Sequence, residues 1–210
     1  MKILLLSLNT GAVAPFLTEA VSVTDRALRV GYALDAQAAY LGLPFVEAER
    51  ERICSLGYEV VPLMFRELAP AQLDAELEAL DAIYVASGST FALLESLRVT
   101  GNDEIVLSHV KSGLPYIGSS AGSIIAGPDV APATLMDSPE DGPLLNDTKG
   151  LGLVSATVIP HADGKLPPYP SALIDQTLET FGAEYALQLL RDDQALLADE
   201  QGESVIFSGV

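Results

Sequence analysis

The sequence predicts an α/β protein, with a mainly parallel sheet carrying helices on both faces. Three observations carry that expectation. Short apolar runs alternate with longer stretches of helical spacing for most of the chain. The first run, Lys2 to Leu8, is apolar almost throughout, as a strand buried on both faces must be. Hydrophobic residues make up 49% of the 210 residues, and the mean hydropathy is +0.32. That is enough apolar surface for a two-faced buried sheet, and it excludes a disordered chain. With no linker, repeat or low-complexity tract to divide it, residues 1–210 are expected to form one domain.

The elements follow in order. Lys2 to Leu8 reads as the first strand, ended by Asn9-Thr10-Gly11, and Ala12 to Asp25 as loop or short helix. Leu28 to Leu34 reads as a second strand. Pro44 to Leu56 carries Phe45, Val46, Ile53 and Leu56 among acidic and basic residues, one apolar stripe on a charged helix closed by Gly57. Cys54 follows Ile53 on that helix and reads as a packed thiol. Tyr58 to Met64 is a third strand. Pro70 opens a helix that runs to Leu80, with Leu73, Leu77 and Leu80 on one side. Asp81 to Ala86 is a fourth strand, feeding Ser87-Gly88-Ser89-Thr90 and a helix from Phe91 to Arg98. Asn102 to Ser112 is helical again.

Beyond residue 128 the reading loosens. Asp129 to Gly150 is rich in Pro, Asp and Gly and is expected to be a surface excursion. Leu151 to Ile159 resumes strand character and ends at Pro160-His161. Gly164 to Pro170 is irregular, and Ser171 to Phe181 looks helical. Asp193 to Ala198 and Ser204 to Ser208 read as closing strands around the turn Glu200-Gln201-Gly202.

Charge and composition narrow the partners. A net charge of −18 argues against nucleic acid and anionic membranes, whose binding needs basic surface. An acidic substrate would be repelled at long range and would need a local cation. No apolar run reaches the length of a membrane span, and the N-terminal run is too short for a signal peptide. The single cysteine allows no intramolecular disulfide and fits a reducing, cytoplasmic setting. No cofactor is implied: neither a phosphate loop nor a dinucleotide fingerprint occurs, and two histidines without ligand spacing argue against zinc.

The most informative stretch is Gly113 to Pro128, in which the short strand Leu114 to Ile117 runs directly into Gly118-Ser119-Ser120-Ala121-Gly122 and an apolar helix start. This is G-x-S-x-G in a strand–turn–helix setting. Small neighbours let the backbone turn sharply and hold the Ser120 hydroxyl clear of the sheet, while the helix start offers the Ala121 N–H to a developing oxyanion. Ser120 is thus the candidate nucleophile. Of the two histidines, His109 lies within a helix, whereas His161 follows a strand end where loops meet, so His161 is the candidate base. Asp192 is the preferred carboxylate partner, with Asp193 and Asp163 as alternatives. The order nucleophile, base, acid differs from that of the α/β-hydrolases. Gly88 is the second candidate oxyanion donor, since glycine lets a backbone N–H approach a substrate closely.

With these residues placed, the chain resembles the peptidase E family of aspartyl dipeptidases. Those are serine peptidases on a flavodoxin-like fold similar to the class I glutamine amidotransferases. The likeness rests on Tyr84 to Leu94, Tyr116 to Gly122, and Gly150 to Val154 leading to Pro160-His161. It implies Ser120 as nucleophile, His161 as base, Gly88 and Ala121 as oxyanion hole, and an acidic third member near Asp192. It implies a short-peptide substrate, with N-terminal aspartate as the family's preference, and leaves a homo-oligomer open. Two features depart from the family. Its G-G-N-T-F stretch is here Ser87-Gly88-Ser89-Thr90-Phe91, and its arginine after the histidine has no counterpart. Ser89 and Lys165 are therefore the candidate substrate-binding residues, with Arg98 a second candidate cation. Two other readings keep different substrates or none: an isopeptide hydrolase resembling the cyanophycinases, and a non-catalytic small-molecule-binding domain. A glutaminase is disfavoured, because its elbow carries cysteine in place of Ser120.

Overall fold

The computed structural model describes residues 1–22 and 25–209. One sheet contains β1 (Ile3–Leu6), β2 (Arg29–Ala33), β3 (Glu59–Leu63), β4 (Ala82–Val85) and β5 (Tyr116–Ser119). Two short strands, β6 (Thr157–Ile159) and β7 (Leu187–Leu189), pair in parallel outside it. The last two, β8 (Gln194–Asp199) and β9 (Gly202–Phe207), return to the main sheet. Its order is β3-β2-β4-β5-β1-β8-β9, parallel from β3 to β1 and antiparallel through β8 and β9. The helices are α1 (Val13–Ala20), α2 (Pro44–Ser55), α3 (Pro70–Glu78), α4 (Thr90–Thr100), α5 (Asn102–Lys111), α6 (Ala121–Ile125) and α7 (Ser171–Phe181). The mainly parallel sheet with helices on both faces is thus the observed architecture.

Successive strand residues point to opposite faces, and both faces are covered. Ile3 and Leu5 join a core with Ile83, Val85 and Tyr116 beneath α3, α4, α5 and α6. Leu4 and Leu6 join Tyr32, Tyr84 and Ile117 beneath α1 and α2. A strand buried twice has no polar position to spare, which is why its sequence shows no alternation. Because β4, β5 and β1 are adjacent and parallel, Ser87, Ser120 and Ser7 emerge from the same edge.

Several details differ from the sequence reading, each for a packing reason. In α2 the buried residues are Val46, Glu49 and Ile53, while Phe45 is exposed and Cys54 is an exposed free thiol. The buried stripe steps by three and four from Val46 through Glu49 to Ile53, and Cys54 lies one residue beyond it. Residues 129–150 are not a simple surface excursion. They form 3-10 turns at Ala131–Leu135 and Pro139–Asp141 and bury Val130 and Ala133 against the core. Only Thr157–Ile159 of the expected Leu151 to Ile159 strand is extended, and it pairs with β7. Val23 and Thr24, within the expected Ala12 to Asp25 segment, lie outside the described residues. No helix among the described residues is long and apolar enough to cross a membrane.

Candidate active site

Ser120 sits between β5 and α6 with φ 47° and ψ −103°. This is a conformation that side-chain-bearing residues rarely adopt. The surroundings impose it. The Ser120 N–H donates to Leu6 O at 3.0 Å, and its carbonyl accepts from Ser123 N and Ile124 N at 2.8 and 2.9 Å. The Ser123 hydroxyl bonds Leu6 O and Gly118 O, and Tyr116 donates to Gly122 O. The two glycines of G-x-S-x-G are steric requirements. A Cβ on Gly118 would lie 2.5 Å from Gly122 O, and one on Gly122 would lie 2.2 Å from Val85 O.

The His161 ring reaches this turn from the end of β6. Its Nε2 lies 3.2 Å from Ser120 Oγ, and its Nδ1 lies 2.7 Å from Asp192 Oδ1. With the proton on Nδ1 donated to Asp192, Nε2 is free to accept the serine proton. His161 has φ 58°. Among the described non-glycine residues only Ser120 and His161 have positive φ. Both strained backbones thus sit at one site, where strain of about 1–3 kcal/mol each must be held by the surrounding structure. His161 is held by Ser7 Oγ, which accepts its N–H at 2.7 Å, and by Tyr169, whose ring stacks on the imidazole with centroids 4.9 Å apart. Ser7 also donates to Asp192 Oδ1 at 3.3 Å. The other expected carboxylates point elsewhere: Asp163 pairs with Lys165 and Asp193 with Arg191. His109 bonds Asp74 across α3 and α5.

Gly88 has φ 133°, and a Cβ there would fall 2.1 Å from Ala36 O, so no other residue fits this turn. The preceding Ser87 is tied to buried Glu49 on α2. Ser87 Oγ donates to Glu49 Oε2 at 2.5 Å, and Tyr84 and Gln37 donate to the same carboxylate at 2.8 and 2.7 Å. Ala121 opens α6 beside Ser120 and is fully buried.

A cavity of about 420 Å³ opens over these groups, lined in part by Ser7, Glu49, Gly88, Ser120, Asp137 and His161. A cavity of that size suits a small ligand. Asp137 accepts from Thr90 N and Oγ1 and from Tyr169 OH. Burial raises its pKa above the ordinary carboxylate range despite those donors. Ser89 and Lys165 do not line the cavity. Ser89 caps α4 by accepting from Ala92 N and donates to Asp141, and Lys165 is a largely exposed partner of Asp163. Arg98 pairs with Asp103, also away from the cavity. Ser7, Glu49, Asp137 and Tyr169 belong to the site without any motif to mark them. Only Glu49 leaves a trace in sequence, as an acid on the buried stripe of an amphipathic helix. Among the described residues no three His, Cys, Asp or Glu side chains gather as metal ligands would.

Comparison with known proteins places the chain in a family. The model of peptidase family S51 matches residues 18–206. An uncharacterised peptidase of Pasteurella multocida is 30% identical over 157 residues, covering 75% of this chain and 74% of its own. Peptidase E of Streptomyces coelicolor is 40% identical over 87 residues, 41% of this chain and 34% of that protein. A 1.5 Å crystal structure from Listeria monocytogenes, of a protein put forward as a peptidase E, superposes with a TM-score of 0.83. It shares 26% identity and covers 98% of both chains. The chain belongs to peptidase family S51, alongside the peptidase E proteins that it resembles.

Proposed function

We propose that this chain is a serine-type exopeptidase that hydrolyses short peptides, with dipeptides beginning in aspartate as the substrates to test first. The observation that carries the reading is the continuous contact from Ser120 through His161 to Asp192 at the floor of a small cavity. Ser120 Oγ attacks the scissile carbonyl carbon while His161 Nε2 takes its proton. Asp192 holds the tautomer and stabilises the imidazolium. The Gly88 and Ala121 N–H groups receive the oxyanion. The tetrahedral intermediate collapses as His161 returns the proton to the leaving amine. Water, deprotonated by the same histidine, then releases the acyl group. The name of one relative, a probable alpha-aspartyl dipeptidase of Drosophila melanogaster, supports dipeptides as the class.

A fluorophosphonate probe should label the protein stoichiometrically at Ser120. Ser120→Ala should abolish labelling and lower dipeptide turnover by at least about a thousand-fold, with unchanged circular dichroism. Turnover of the wild-type order in that variant would place the chemistry elsewhere. Absence of labelling in the wild type would favour a binding domain.

A further inference from the structure

The expected cation of the substrate site is not where the sequence places it. Lys165 and Arg98 are both committed to carboxylates outside the cavity. One arginine does line the cavity, and it comes from a different element. Phe45, Ala48, Glu49 and Arg52 of α2 contribute to its wall, at spacings of three, four and seven that put them on one helix face.

We propose that Arg52 is the specificity-determining residue that receives a carboxylate of the substrate. The proposal rests on the peptidase reading and adds to it the group that selects an acidic ligand. Arg52 Nε is buried with no hydrogen-bond partner, as is Arg98 Nε, but Arg98 has Asp103 as a charge partner and Arg52 has none among the described residues. Arg26, Arg29, Arg66, Arg98 and Arg191 each sit against a carboxylate; Arg50 and Arg52 form no ion pair among the described residues, and of these two only Arg52 lines the cavity. Glu49, one turn earlier, does not serve, because Tyr84, Ser87 and Gln37 already occupy its oxygens. Arg50 is exposed to solvent, whereas Arg52 is half-buried in the cavity wall without a carboxylate beside it, in a chain of net charge −18. A carboxylate entering the cavity would give the guanidinium the charged acceptor it lacks. Glu49 and Asp137 also line the cavity. An acidic ligand therefore needs this cation to offset their repulsion.

A dipeptide offers two carboxylates, that of an N-terminal aspartate side chain and that of the C-terminus, and the test separates them. Calorimetric titration of Asp-Leu into Ser120→Ala reads binding without turnover, with and without Arg52→Met. Loss of one charge-assisted bidentate contact should weaken binding by about 10- to 100-fold, with Arg52→Lys intermediate. Turnover of Asp-Leu, Ala-Leu and Asp-Leu-amide is then compared between wild type and Arg52→Met. A loss sparing Ala-Leu identifies the aspartate side chain, and a loss sparing the amide identifies the C-terminus. Either supports the assignment, and the spared substrate shows that the variant is folded. Equal binding with and without Arg52, no binding by either, or a uniform loss on all three substrates overturns it. Failure of the peptidase reading would show separately, as no turnover of any of the three substrates by the wild type, and would leave the binding comparison standing.

Discussion

Ser120 and His161 each hold a backbone conformation that their side chains disfavour, and each is pinned by neighbours on other strands. In the proposed mechanism that placement pre-organises nucleophile and base, since free rotation would lose the alignment. Asp137 illustrates a different cost. Burial raises its pKa, so between the ordinary carboxylate value of about 3.9 and its native value the folded protein holds more protons than the unfolded chain. Stability therefore falls as pH rises through that interval, and the penalty persists above it. An asparagine side chain in its place cannot titrate. The melting temperature of the wild type should drop relative to Asp137→Asn as pH rises from about 4 to about 7. Parallel curves would contradict the assignment.

The α2 helix shows how one element can serve both core and site. Ile53 packs on the sheet, Glu49 anchors the turn that carries Gly88, and Arg52 lines the cavity. Three side-chain donors converge on the Glu49 carboxylate, two of them on Oε2, and the Ser87 N–H adds a fourth. Glutamine can present only one acceptor oxygen, and its amide would face a donor. Glu49→Gln should therefore cost about 1–3 kcal/mol in urea denaturation, the usual penalty for a buried polar group left unpaired. It should also lower kcat, because Ser87 loses the anchor that sets the Gly88 N–H. A variant as stable and active as wild type would remove Glu49 from this role.

Taken together, the chain carries 29 acidic against 11 basic residues. Crowding like charges on a compact body opposes folding, and salt screens such repulsion over distances beyond about 10 Å at 0.1 M. The melting temperature should rise as sodium chloride increases from about 0.01 M to about 0.5 M. A fall would mean that the paired surface charges, such as Arg26 with Asp81, outweigh the net repulsion.

The alternation of apolar runs with amphipathic stretches was enough to read a mainly parallel sheet covered on both faces, because burial on each face dictates residue type at every position. The Ser120 turn was equally legible, since only glycine fits at positions 118 and 122 and that demand is written locally. Contacts between distant segments were less so. Asp192 was the preferred partner of His161, but Asp193 and Asp163 stayed open until the pairing of β6 with β7, which no local pattern encodes, brought His161 against Asp192. Likewise the cavity's cation comes from α2, far earlier in the chain than the loop where sequence placed it. A helix shows its buried face through periodicity, but which neighbour that face meets is settled only when the strands assemble in the order β3-β2-β4-β5-β1. Packing of that sheet sets Arg52 over Ser120's cavity, and leaves Lys165 in solvent beside Asp163.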